Sequence, residues 1–293
     1  MKFGIIANIM KKEVGGIVNK IIEEIKKHNY DFYLVNEISK LEDFQISDVE
    51  LSKFIPKEII GEKSDIVISI GGDGTMLNTA HIVRNTSTPL LGVNYGKLGF
   101  LAEFDLETFK IFLSEVKERK YVIEERIALT ASCDDCNEKL FAINDIVIDK
   151  GPWPKMIEIT IYIDDEYVTT FMADGIIIAT PTGSTGYSLS TGGPIVNPQS
   201  EVITLSPIAP HTLTMRPLVV SSKQKIKLNV NSPFEKIQVS SDGQRVNYFK
   251  PPTIIKIEKS SQPVKLVHLS KSNFYEILRS KLYWGLDVRK QNN

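Results

Sequence analysis

The apolar run Ile66-Val67-Ile68-Ser69-Ile70 empties into Gly71-Gly72-Asp73-Gly74-Thr75, and a helix-like stretch from Met76 to Val83 follows at once. Strand, glycine turn and helix in immediate succession make a βα unit, and a unit of this kind belongs in a parallel α/β layer. Such a turn leaves backbone N–H groups aimed at one spot, where the helix dipole also favours negative charge. Its three glycines let the backbone approach a phosphate with no Cβ in the way. Asp73 is the misfit. A carboxylate here repels phosphate unless a metal intervenes or the acid takes a proton from an attacking hydroxyl, as phosphoryl transfer requires. The plainer alternative makes Asp73 a helix cap.

The layer extends through the first hundred residues. Phe3–Ala7, Asp31–Val35, Ile66–Ile70 and Pro89–Val93 read as strands separated by segments long enough for crossovers. Val14, Ile17, Val18, Ile21, Ile22 and Ile25 fall at helical spacing, and Asn29 follows as a stop. The acidic, weakly periodic stretch Glu37 to Pro56 is expected to be a mobile insertion. From about Glu124 the period changes. Ile157, Ile159, Ile161 and Ile163 alternate with polar partners, as do Ile226, Leu228 and Val230, with turn signals at Asp164-Asp165 and Asp242-Gly243. With 293 residues, two domains are the better expectation. The fold class is therefore an α/β N-terminal domain, parallel and Rossmann-like, plus a mostly antiparallel β-sandwich C-terminal domain. Residues 1–101 with 272–293 are assigned to the first and 102–271 to the second, because Asn273 to Trp284 turns helical and is expected to return to the α/β layer.

Charge excludes some partners. Against 36 acidic residues stand 35 basic ones, so no global field exists to hold nucleic acid or an anionic membrane, and anion recognition must be local. No apolar run approaches the roughly 18 residues that span a bilayer, and the N-terminus shows no small-residue cleavage site, so a cytoplasmic location is expected. Cys133 and Cys136 form one CxxC with Asp134 and Asp135 between them. Further metal ligands at the right spacing are missing and acidic neighbours disfavour a thiolate, so the pair is read as a hairpin tip between Ala128–Ser132 and Leu140–Ile143.

Two more segments look chemical. Asn94-Tyr95-Gly96-Lys97-Leu98-Gly99-Phe100 follows the fourth strand and should face the same crevice as Asp73. The stretch from Asp174 to Ser190 runs from a buried strand into Thr180-Pro181-Thr182-Gly183-Ser184-Thr185-Gly186-Tyr187-Ser188-Leu189-Ser190, whose hydroxyls can read amide and purine edges and whose Tyr187 can stack. A polar loop would have a similar composition. Neither GxxxxGK[ST] nor an opening GxGxxG occurs, and protein-kinase signatures are absent, which removes P-loop enzymes, ordinary dinucleotide oxidoreductases and protein kinases.

The motif at 71–75, the loop at 94–100, Asn144-Asp145, the block 174–194 and Pro207 through Leu218, in this order, resemble the NAD kinase family over residues 60 to 250. The first element alone is shared with diacylglycerol and sphingosine kinases. The resemblance implies transfer of the γ-phosphate of ATP to the adenosine-ribose 2′-hydroxyl of NAD, with Asp73 as catalytic base and Gly72 and Gly74 beside the ligands. It also implies that Asn144 and Asp145 contact the adenosine part, and that Thr185, Gly186, Tyr187, Ser188, Leu189 and Ser190 line the adenine and nicotinamide pockets. Asp174, Lys155, Met172 and Gln244 match further contact positions. Gly186 stands where alanine is more usual and Asp145 where many members carry glutamate. The divalent metal, Mg²⁺, would arrive with ATP, with no metal site built from protein alone. A homo-oligomer, dimer or tetramer, is implied, with a cleft between the domains. The rival readings are a lipid kinase of the diacylglycerol-kinase type and a non-catalytic dinucleotide sensor. Asp242 is expected to be a turn residue, Asn144 and Asp145 could merely open a strand, and His211 is expected to be packed or hydrogen-bonded.

Overall fold

The computed structural model describes residues 1–11, 13–44, 49–96, 99–133 and 139–285. The chain divides into two compact units, Met1–Glu124 with Lys265–Asn293, and Glu125–Val264. It runs through β1 (Lys2–Ala7), α1 (Val14–Lys27), β2 (Asp31–Val35), β3 (Phe54–Ile55), α2 (Ile60–Lys63), β4 (Ile66–Ile70), α3 (Asp73–Val83), β5 (Leu90–Val93), α4 (Leu106–Glu118) and β6 (Val122–Arg126). Next come β7 (Leu129–Cys133), β8 (Leu140–Ala142), β9 (Asp145–Asp149), β10 (Ile157–Ile163), β11 (Glu166–Ala173), β12 (Gly175–Ala179), α5 (Tyr187–Ser190) and β13 (Val202–Ile208). The last elements are β14 (Leu218–Ser221), β15 (Ile226–Asn231), β16 (Ile237–Ser241), β17 (Arg245–Phe249), β18 (Thr253–Lys259), β19 (Val264–His268) and α6 (Phe274–Leu282).

In the α/β unit a seven-stranded sheet has the order β3-β2-β1-β4-β5-β19-β6. Its pairs from β3 through β19 are parallel. Chain order reverses beside β1: β2 and β3 lie on one side of it, β4 and β5 on the other. The carboxyl ends of β1 and β4 therefore flank a topological switch point, the place where open α/β sheets take ligands. All five residues of β4 are buried, which is why it reads as a nearly continuous apolar run, with Ser69 the one polar residue, rather than an alternating one. Helix α1 turns Val18, Ile21, Ile22 and Ile25 inward, as its spacing requires.

Helix α4 also belongs to this unit, so the first division of the chain falls after Glu124 rather than after Leu101, and the second before Lys265 rather than before Ser272. Asp105 starts the helix as a capping box: its carboxylate accepts the Thr108 N–H at 2.8 Å while Thr108 Oγ1 accepts the Asp105 N–H at 2.8 Å. Phe109 and Phe112 are then fully buried, with the Phe112 ring 6.4 Å from Phe3 of β1 and 5.7 Å from Phe104. The stretch Glu37–Pro56, expected as a mobile insertion, carries regular structure in its described residues. Ile38 is fully buried, and Phe54–Ile55 adds a short parallel strand beside β2.

The second unit is two six-stranded sheets, β11-β10-β15-β18-β7-β8 and β14-β13-β12-β9-β16-β17. Neighbouring strands in both sheets pair antiparallel. Ile157, Ile159, Ile161 and Ile163 of the first sheet share one core with Ile146, Ile148, Ile176 and Ile178 of the second, as in a β-sandwich. This is the expected fold class. The arms of the Cys133 hairpin pair as expected, and the Cys133 thiol is free and buried, 3.0 Å from Thr253 Oγ1. Its tip, with Cys136, lies outside the described residues, as do Lys97 and Leu98 of the other loop.

Replacing Phe112 with Ala should lower unfolding free energy by about 3–5 kcal/mol, since the ring is buried against partners from strand and loop. Urea titration measures this; a loss below about 1 kcal/mol would mean that the ring does not key α4 into the sheet.

Candidate active site

The glycine turn sits at the carboxyl end of β4. The Gly71 N–H donates to the Val93 carbonyl at 2.9 Å, tying the ends of β4 and β5 together. A Cβ at Gly71 would collide with the Thr75 side chain, whereas one at Gly72 would meet nothing within 4 Å. Open space therefore lies over Gly72, as a phosphate cradle needs. The N-cap of α3 is Gly72, and Asp73 is its first helical residue, so the helix-cap alternative does not describe this carboxylate. Asp73 instead reaches across to the next loop. Its Oδ1 accepts the N–H groups of Leu101 and Ala102, both at 3.0 Å, and Oδ2 accepts that of Phe100 at 2.9 Å. Gly99 passes so close that any Cβ would overlap Asp73 Oδ1. Oδ2 takes one of these bonds and keeps a second lone-pair direction for another donor. Before this loop, Asn94 is buried, its N–H donating to Phe104 O at 2.7 Å and its Oδ1 accepting from Gly96 at 2.9 Å.

The β-sandwich unit gathers a second group at the start of β9. The Asn144 carbonyl accepts from Thr180 N–H at 2.9 Å, and the Thr180 hydroxyl donates to the Ile143 carbonyl. Gly183 packs directly on Asn144 O, leaving no room for a Cβ, while a Cβ at Gly186 would stand 3.7 Å from Asn144 Nδ2 and 3.9 Å from Asp145 Oδ2. Asn144, Asp145 and the Thr182–Gly186 turn are thus one cluster, and Asn144 Oδ1 within it is buried with no partner among the described residues. Burial, and then the charge of Asp242, push the Asp145 carboxyl up to about 7. Several hydroxyls of the next segment brace the turn itself: Ser188 is buried against Ser206 Oγ at 2.9 Å, Ser190 donates to Tyr187 O at 2.8 Å and Thr185 to Thr182 O at 3.3 Å. Tyr187 is exposed, as is Gln244 on the turn after β16.

Other residues in the same expectation fall elsewhere. Asp174 precedes Gly175, which pairs with Asp149 at the far end of β9 from Asp145. Four residue steps of strand, from Asp145 to Asp149, separate the two ends, roughly 13 Å at about 3.3 Å per residue. At that end Asp174 pairs with Lys150 at 2.8 Å, and burial raises the pKa of neighbouring Asp149. Met172 belongs to this end as well, since Ile157 pairs with Ala173, and exposed Lys155 precedes Ile157 by two residues. His211, expected to be packed or hydrogen-bonded, is exposed and donates its backbone N–H to Met172 O at 2.9 Å. Within one chain Asp174, Lys155 and Met172 do not join the Asn144 cluster.

A carboxylate set inside a glycine turn with open space over Gly72 is an arrangement suited to phosphoryl transfer, and the relatives of the chain are phosphotransferases. Residues 3–121 match the family model for the ATP-NAD kinase N-terminal domain, and residues 143–269 match that for the C-terminal domain. NAD kinase of Chlorobium phaeobacteroides is 39% identical over 97% of this chain and 98% of its own length, and that of Flavobacterium johnsoniae is 36% identical over 99% and 100%. Among solved structures, yeast NADH kinase complexed with NADH superposes with a TM-score of 0.87 at 25% identity, covering 98% of this chain and 89% of that one. An Archaeoglobus fulgidus NAD kinase in complex with ATP gives 0.77 at 29% identity, covering 97% and 99%. The chain belongs to the ATP-NAD kinase family. The lipid-kinase and sensor readings find no support among these relatives.

The Asp145 shift has a measurable sign. Unfolded, the group titrates near its ordinary 3.8; folded, it holds its proton to about 7. The native state thus binds more protons between these values, and stability falls as pH rises through that window. Asp145→Asn removes the titration. Its melting temperature relative to the parent should climb from about pH 4 to about pH 7 and then level off. A constant offset across that range would show that Asp145 ionises normally.

Proposed function

We propose that the chain transfers the γ-phosphate of ATP to the 2′-hydroxyl of the adenosine ribose of NAD, giving NADP. The observation that carries this reading is Asp73, a carboxylate at the mouth of a glycine turn, held by backbone donors from Phe100, Leu101 and Ala102 yet with a lone pair of Oδ2 to spare. Those bonds hold the carboxylate still, which suits a base that must meet one hydroxyl in one geometry. As the 2′-oxygen attacks the γ-phosphorus, its proton passes to Asp73 and the bond from phosphorus to the bridging oxygen breaks, releasing ADP. The turn and the first N–H groups of α3 cradle the phosphates. In the sandwich, Asn144 and Asp145 take the adenosine part, and the orphaned Asn144 Oδ1 suits a ligand hydroxyl or amino donor. The relatives solved with NADH and with ATP support binding of both nucleotides.

Among the described residues there is no group of three or more His, Cys, Asp or Glu side chains that could hold a metal ion. Mg²⁺ arriving on the triphosphate, its usual mode, would neutralise charge developing on the phosphate oxygens. Asp174, Lys155 and Met172 remain candidate ligand contacts at a second locus, as do Tyr187, Leu189 and Gln244 in or near the first. A cytoplasmic location and a homo-oligomer, dimer or tetramer, belong to the same proposal; no helix among the described residues is long and apolar enough to cross a membrane.

Purified protein with NAD and Mg-ATP should yield NADP in an assay coupled to a strictly NADP-dependent dehydrogenase. Asp73→Asn should lower kcat by at least about 10²-fold, the lower end for general-base catalysis. Turnover close to the parent's would remove Asp73 from the chemistry. Asn144→Ala should act differently, because a ligand contact present before and during transfer is lost as binding. A loss of about 1–3 kcal/mol corresponds to a 5- to 150-fold fall in kcat/KM for NAD, seen as raised KM, with KM for ATP much less affected. Equal losses toward both nucleotides would place the adenosine contact elsewhere.

A further inference from the structure

The turn between β16 and β17 does more than reverse the chain. Asp242 and Gly243 have φ of 54° and 63°, and the Gln244 N–H closes the turn on Ser241 O at 3.1 Å, within a three-residue loop whose flanking residues Ser241 and Arg245 pair. An aspartate at that position usually faces water. Here its side chain has no exposed surface. Oδ1 accepts the N–H groups of Asn144 at 2.8 Å, Ile143 at 3.0 Å and Asp145 at 3.4 Å; Oδ2 lies 3.2 Å from the Ile143 N–H. Arg245 Nη2 donates to Oδ2 at 3.0 Å, and the Asp242 N–H returns a bond to the Asp145 carbonyl at 2.9 Å.

Three consecutive N–H groups converging on one anion make a backbone nest. The opposite edge of the same bend is held by Thr180, which takes the carbonyls of Ile143 and Asn144. The bend is clamped on both sides, and it is the bend from which Asn144 and Asp145 project.

We propose that Asp242 is a positioning residue for the dinucleotide: seated in the nest of Ile143–Asp145 and steadied by Arg245, its carboxylate fixes where Asn144 and Asp145 present their side chains to the adenosine ribose. This rests on the reading of Asn144 and Asp145 as NAD contacts. Asp242 itself does not touch the ligand; it acts through the backbone of the residues that do. Its charge also contributes to the raised pKa of Asp145, second to burial.

Asp242→Asn keeps the shape and one oxygen but turns an NH₂ toward N–H donors. The expected result is a rise of about tenfold or more in KM for NAD, with kcat and KM for ATP within about threefold of the parent. A general loss of structure would instead lower kcat and raise both KM values together, which would overturn the inference, as would an unmoved KM for NAD. Should Asp242→Asn fail to fold, Arg245→Met decides. It removes only the guanidinium, and should raise KM for NAD about two- to fivefold without moving KM for ATP; no change in KM for NAD would again overturn the proposal. Asn144→Ala run beside them separates the two levels. If it raises KM for NAD while Asp242→Asn does not, positioning by Asp242 falls and the adenosine contact stands. If neither moves KM for NAD, both fall.

Discussion

A carboxylate caught by successive backbone amides is the contact on which the Asp73 loop of the α/β unit and the Asn144 bend of the sandwich unit each depend. Asp73 gathers the N–H groups of Phe100, Leu101 and Ala102, and Asp242 gathers those of Ile143, Asn144 and Asp145. In each case an irregular stretch next to a strand end would otherwise leave donors unpaired, at a cost of about 1–3 kcal/mol for each buried group. An acid from a distant part of the chain meets that need and sets the conformation of the stretch. The two acids differ in what remains to them. Oδ2 of Asp73 has a lone pair left, whereas Asp242 is enclosed, with Arg245 on its remaining side.

Glycine does the complementary work. Gly99 lets the loop close on Asp73, and Gly183 lets the hydroxyl-rich turn lie directly on the Asn144 carbonyl. The block from Thr180 to Ser190 is hydroxyl-rich partly because it must hold itself together: Ser184 donates to Pro181 O at 2.6 Å and accepts from Val196 N–H at 3.0 Å, and Ser188 bonds Ser206. The same composition that suggests nucleotide contact therefore also builds the scaffold, and composition alone does not assign each hydroxyl to one role.

What the sequence discloses follows from the range of the forces involved. Period-two alternation placed Ile157 to Ile163 on the sandwich core, and the mostly apolar run Ile66–Ile70 placed β4 inside the parallel sheet, because both patterns are local responses to burial. The two-residue strand Phe54–Ile55 is too short to carry a period, and α4 is amphipathic in a way that fits either unit, so neither the insertion nor the domain edge could be read correctly. Asp242 was legible as a turn and not as an anchor, since its partners lie 97 to 99 residues away. Asp174 and Asn144 appear in one family pattern, yet antiparallel pairing of β9 with β12 sends them to opposite ends.

The Asp145 carboxyl, titrating at about 7, is divided between its two forms in the free protein near neutrality. A partner that donates to the carboxyl selects the ionised form, and one that accepts from it selects the neutral form, so occupancy of this pocket exchanges a fraction of a proton with solvent. On the proposed reading of Asn144 and Asp145 as adenosine contacts, dinucleotide binding there is a proton-linked equilibrium. Its apparent affinity drifts with pH across the neutral range, and its observed heat includes the ionisation heat of whatever buffer supplies or absorbs that proton.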